Sequence, residues 1–109
     1  MGWNGYKSLK KVCDPVAFSQ TIKHIIRSES STINVFVWKI YGIYRNRNTK
    51  RAYWRICRNK WAPQVRIFAR ACDALGLNSR EIESLVRVYI PDNKEWQQRL
   101  IDATKNREG

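Results

Sequence analysis

The stretch Ile33-Asn34-Val35-Phe36-Val37-Trp38-Lys39-Ile40-Tyr41-Gly42-Ile43-Tyr44 decides the fold class. Read with a helical period, Ile33, Phe36, Val37, Ile40, Tyr41 and Tyr44 share one face. Read as a strand, its β-branched and aromatic residues are dense, and Gly42 interrupts the run. A β-hairpin over 35–57 would rise through 35–44, turn at 45–49 and return through 51–57. Residues 35–44 are apolar on both parities, however, and such a strand must be buried on both faces. A chain of 109 residues has little material to cover two faces of a sheet, so helix is the preferred reading and the hairpin the alternative.

The flanks agree with helix. Upstream, Asp14-Pro15 reads as an N-cap followed by proline at the first helical position, where a missing N–H costs nothing. Phe18, Ile22, Ile25 and Ile26 then recur at helical spacing over residues 15–27, and a Ser-rich break follows at 28–32. Residues 1–13 read as an irregular leader, with Trp3 and Tyr6 as anchors to the body. Downstream, Asn46, Asn48 and Thr49 form a polar junction of cap-competent residues. Beyond it Ala52, Tyr53, Ile56 and Cys57 mark one helical face, while Arg51, Arg55 and Arg58 mark another beside Trp54. Pro63 suits the first turn of a helix over about residues 62–75, with Val65, Phe68, Ala69, Cys72 and Leu75 inward, Arg66 and Arg70 outward, and Gly76 as its stop. Asn78 with Glu81, and Asp92 with Glu95, are spaced as capping boxes for two further helices. The expected fold class is mainly α: a bundle of roughly five or six short helices forming one domain over 14–105, with a frayed tail at 106–109.

Charge is the strongest functional signal. The formal net charge is +12. Between Glu29 and Asp73 lie 43 residues without a carboxylate, holding ten cations: Lys39, Arg45, Arg47, Lys50, Arg51, Arg55, Arg58, Lys60, Arg66 and Arg70. Residues 73–109 by contrast carry seven acidic and six basic groups. A run balanced by neighbouring carboxylates is only a solvated face; an unbalanced one projects positive potential into solution. Seven of the ten are arginine, whose planar fork of donors matches phosphate oxygens and base edges.

Other chemistries find no footing. His24 is the single histidine, and its His-x-x-Arg spacing with Arg27 lacks the further arginines and tyrosine that recombinase chemistry needs. No nucleophile–base pair, glycine-rich phosphate loop or carboxylate pair stands in the basic region, so no catalytic residue is expected. Cys13, Cys57 and Cys72 are odd in number and widely spaced, which argues against a disulfide framework and against a compact zinc site. No cofactor or metal is expected. No apolar run reaches the ~20 residues of a membrane span, and no secretory signal is read at the start; a reducing cytoplasmic or nuclear compartment is expected. The turn at Leu75-Gly76-Leu77-Asn78 is helix-turn-helix-like, but the helix after it carries Glu81 and Glu83, poor partners for phosphate.

The expectation is therefore a non-catalytic nucleic-acid-binding domain, duplex DNA preferred over RNA. Arg45, Arg47, Lys50, Arg51, Arg55, Arg58 and Lys60 would form the main surface, extended by Lys39, Arg66 and Arg70. Arg51, Arg55 and Arg58 are the candidates for base edges, and Trp54 for stacking on an unpaired base. Two rivals remain: an RNA or single-strand binder, and a protein-binding regulator that docks its arginines on an acidic partner. A homodimer is compatible with duplex binding; a membrane partner is not expected.

Overall fold

A computed structural model of the chain describes residues 2–42 and 47–106, with side chains from Tyr6 to Lys105. The described residues form seven helices and no strand: α1 (Gly2–Val12), α2 (Pro15–Ser28), α3 (Ile33–Tyr41), α4 (Arg47–Cys57), α5 (Val65–Ala74), α6 (Ser79–Tyr89) and α7 (Lys94–Asn106). The segment that decides the class is α3. Phe36, Val37 and Ile40 are buried on one side, and Trp38 and Lys39 are exposed on the other. Thr32 caps it, accepting from the Val35 N–H at 3.2 Å.

Local signals set most helix ends. Asp14 accepts from the Ala17 N–H at 3.1 Å, with Pro15 at the first position of α2. Asn78 and Glu81 close both arms of a capping box, at 3.0 and 2.9 Å. Three helices end in the same way, with a left-handed residue flanked by two reversed hydrogen bonds: Ser30 (φ 55) after α2, Asn59 (φ 60) after α4 and Gly76 (φ 64) after α5.

Four expectations need correction. Residues 2–12 are helix α1, not an irregular leader: Leu9 is wholly buried and the Tyr6 hydroxyl donates to the Ala62 carbonyl at 2.8 Å, so tertiary contact orders a segment that is polar and basic by composition. With α1, the described helices number seven rather than five or six. The cap of α7 is Asn93, whose side chain accepts from the Trp96 N–H at 3.0 Å; Asp92 is exposed one residue too early, and Glu95 pairs with Arg99 instead. Finally α5 begins at Val65 rather than near residue 62. The residue before a proline resists helical geometry, and residues 61–63 have partners elsewhere.

Those partners organise the core. The Trp61 N–H donates to the buried Ser19 hydroxyl at 3.0 Å, the Ala62 carbonyl accepts from Tyr6, and the Pro63 carbonyl accepts from the buried Tyr89 hydroxyl at 2.7 Å. The link between α4 and α5 is thus tied to α1, α2 and α6. Phe18 lies beneath it, with ring centroids 5.6 Å from Trp61, 5.8 Å from Phe68 and 4.3 Å from Tyr89. Helix α5 packs against α3 and α7, α4 against α3 and α2, and α2 against α6. The pinned link holds α4 and α5, the two helices rich in arginine, in a set relation.

Candidate nucleic-acid interface

Helix α4 divides its residues by chemistry. Thr49, Ala52 and Ile56 are buried, and Arg47, Lys50, Arg51, Trp54 and Arg55 are exposed, as is Arg58 in the turn that directly follows. At about 100° per residue the exposed set occupies an arc of about 140°, centred opposite Ile56. The apolar side supplies the driving force for docking α4 onto α2 and α3, and that docking aims the cations outward. Among the described residues α4 begins at Arg47, so Asn48 and Thr49, expected in the polar junction ahead of it, are helical, and Asn46 lies outside the described residues.

Three adjoining depressions show how the cations are grouped. Arg47, Lys50, Arg51, Trp54, Arg55 and Arg58 surround a shallow one of 480 Å³ on the outer face of α4. Arg51 and Arg55 also line a more enclosed cleft of 410 Å³ between α4 and α5, facing Arg66 and Arg70. Arg70 in turn borders a third, of 550 Å³, with Lys39. Shared residues join the three, so the cations separated along the chain make one connected surface. Lys60 is exposed in the turn after α4 but lines none of these depressions, and Arg45 lies outside the described residues.

Carboxylates are sparse on this surface. Among the described residues, Arg47, Lys50, Arg51, Arg55, Arg58 and Lys60 take part in no ion pair; the pair Arg99–Glu95, at 3.0 Å, belongs to α7. The exception is at the margin. Asp73 shares the third depression with Lys39 and Arg70, so the positive potential weakens there and the outer face of α4 is its centre. The acidic α6 residues Glu81 and Glu83 are exposed, and neither lines the depressions that hold the arginines.

The aromatic residues separate cleanly. Trp61 is core, 3% exposed, with its ring edge-on to Phe36. Tyr53 is half-buried and meets Trp54 edge-on at 5.6 Å. Trp54 itself is 55% exposed, and the Arg58 guanidinium sits 5.4 Å from its ring centre. That contact steadies both side chains in the cationic arc. His24 and Arg27 are exposed on α2 and line none of the three depressions.

Sequence reasoning missed the neutral groups of the cleft. Tyr6, Tyr41, Asn48 and Gln64 stand among its arginines. Burial pushes the Tyr41 hydroxyl above its ordinary pKa, against the smaller opposing effects of Trp61, Arg55 and Arg70, so it is a protonated hydroxyl at neutral pH. The one hint in the sequence was a matched spacing: Arg51 and Arg55 are one helical turn apart, as are Arg66 and Arg70. That the two pairs line one cleft depends on how α4 and α5 each pack against α3. No helix among the described residues is long and apolar enough to cross a membrane. No protein-family model matches the chain, and no curated protein or solved structure is similar enough to it to count as a match.

Proposed function

We propose that the chain is a non-catalytic nucleic-acid-binding protein that grips the phosphate backbone of duplex DNA with the outer face of α4. The observation that carries the reading is the arc of exposed cations, Arg47 to Arg58, which among the described residues takes part in no ion pair. Like charges held this close repel one another, and a polyanion relieves the repulsion. Eleven residues of α4 extend about 16 Å at 1.5 Å per residue. A DNA strand carries one charge per about 3.4 Å of axis, so α4 matches about five phosphates in length. A helix also fits the width of the major groove, where Arg51, Arg55 and Arg58 would reach base edges. A reducing cytoplasmic or nuclear compartment goes with this reading and with three free cysteines.

One observation favours a second reading. Trp54 is 55% exposed within the cationic arc, as a stacking platform for an unpaired base would be. RNA or single-stranded DNA would then be the preferred polymer. Equilibrium binding to duplex DNA, single-stranded DNA and RNA of one sequence, over a range of salt, tests both. Six neutralised phosphates predict a slope of log K against log salt of about −5 on the duplex. Tighter binding to the single strands would transfer the assignment to the second reading. No binding to any of the three at low salt would sink both, and would leave docking on an acidic protein surface as the use of the arginines.

A further inference from the structure

We infer that the cleft between α4 and α5 is an end-binding subsite, which takes the terminal phosphomonoester of a nucleic-acid strand. The inference deepens the nucleic-acid reading above and rests on it. Its ground is the difference between the two arginine-lined depressions. The outer face of α4 is shallow and formed by one convex helix, so a backbone can pass over it in both directions. The cleft has two walls and a floor. Arg51 and Arg55 project from α4, Arg66 and Arg70 from α5, and Trp61, Ala62 and Pro63 run between them.

Charge stoichiometry separates the two classes of phosphate. An internal phosphodiester carries one negative charge and has chain leaving on both sides. A terminal monoester carries −1.5 to −2 near neutral pH, has three acceptor oxygens and leaves on one side only. Four guanidiniums with no carboxylate in the lining suit the monoester in charge and in donor number. Tyr41 lines the cleft together with Arg55 on one wall and Arg70 on the other, and both arginines oppose the rise that burial causes in its hydroxyl pKa.

The cleft is also pre-organised. Its floor is fixed by the hydrogen bonds from Tyr6 to Ala62, from Trp61 to Ser19 and from Tyr89 to Pro63. The Arg70 guanidinium donates to the Ile40 carbonyl at 3.4 Å. The floor and Arg70 therefore need little further ordering, while Arg51, Arg55 and Arg66 are exposed side chains that a ligand would draw together. Because Arg51 and Arg55 line both depressions, a strand that places its end in the cleft has its next phosphates at the outer face of α4.

The test compares short duplexes of one sequence that carry a 5′-phosphate, a 3′-phosphate or hydroxyls at every end, by fluorescence anisotropy at fixed salt. Wild type binds one of the phosphorylated duplexes about tenfold more tightly than the hydroxyl-ended one, as one or two additional charge-assisted hydrogen bonds imply. Which end is preferred identifies the strand polarity. In R66A/R70A, which removes the α5 wall and leaves the outer face of α4 intact, the ratio of the two affinities falls to about one. In K50A/R58A, which alters the outer face but not the cleft, every affinity falls and the ratio stays. Equal binding of phosphorylated and hydroxyl-ended duplexes by wild type overturns this inference and leaves the backbone-binding reading standing. A ratio that survives R66A/R70A also overturns it. Absence of binding to all the duplexes overturns both.

Discussion

Removing three arginines from the outer face of α4 separates the charge argument from every effect on folding. Arg51, Arg55 and Arg58 are exposed, and among the described residues none is in an ion pair; Arg58 lies over the Trp54 ring. An exposed contact of that kind contributes about 0.5–1 kcal/mol. Alanine has the better helix propensity, and fewer like charges repel on α4, so R51A/R55A/R58A should keep its helix content and lose at most about 1 kcal/mol of stability. Binding should respond very differently. Six unpaired cations, Arg47, Lys50, Arg51, Arg55, Arg58 and Lys60, predict a salt slope of about −5, and three predict about −3. Between 50 and 200 mM salt the wild type then loses affinity by about 10³, and the variant by about 40-fold. Anisotropy titrations on duplex DNA across that range measure the slopes, and far-UV circular dichroism with a denaturant curve measures the fold. An unchanged slope would refute the assignment of these residues to phosphates. Cooperative unfolding of the variant would refute their placement on a free face.

Three other outcomes follow from the same contacts. Y89F leaves the buried Pro63 carbonyl without its 2.7 Å donor and should lower unfolding free energy by about 1–3 kcal/mol in urea. Burial raises the pKa of Tyr89 far above its ordinary value of 10.0, so the folded state keeps this proton while the unfolded chain releases it above about pH 10. The stability that Tyr89 contributes is whole below that pH and declines as pH rises, so the wild-type advantage over Y89F should shrink by about 1.4 kcal/mol per pH unit; a constant gap would contradict the burial of the hydroxyl. Asn59 holds a left-handed φ of 60, and its Oδ1 is buried with no hydrogen-bond partner among the described residues. N59G removes that orphan acceptor and the steric cost of the conformation, and should raise the unfolding free energy in urea by a net of about 1 kcal/mol after the entropy of the added glycine. W54A should weaken single-stranded DNA binding by about 1–3 kcal/mol per stacked base and duplex binding by less; equal loss on both would count against stacking.

The helical reading of residues 33–41 was available from the sequence because burying both faces of a strand demands more chain than this one has; Ile43 and Tyr44, the end of that stretch, lie outside the described residues. The caps at Asp14 and Asn78 and the stop at Gly76 were legible for a related reason: each acts on N–H or C=O groups within a few residues of itself. Where two local candidates competed, the local rule lost resolution. Asp92 and Asn93 are both cap-competent, and the hydrogen bond to Trp96 goes to Asn93. Pro63 could open a helix, yet its carbonyl is held by Tyr89 and that of Ala62 by Tyr6, so the turn before Val65 stays extended.

What the sequence determined by itself is the set of short-range quantities: helical periodicity, most of the helix ends, and a span of 43 residues in which no carboxylate neutralises ten cations. These are properties of neighbours along the chain, governed by backbone geometry and composition. Tertiary structure alone decided that α1 is ordered, that Asp73 comes to the edge of the basic surface, and that the Arg51–Arg55 pair confronts the Arg66–Arg70 pair across a cleft. Each of these depends on partners distant in sequence, such as Ser19 with Trp61 and Tyr89 with Pro63, whose hydrogen bonds flank the aromatic core around Phe18.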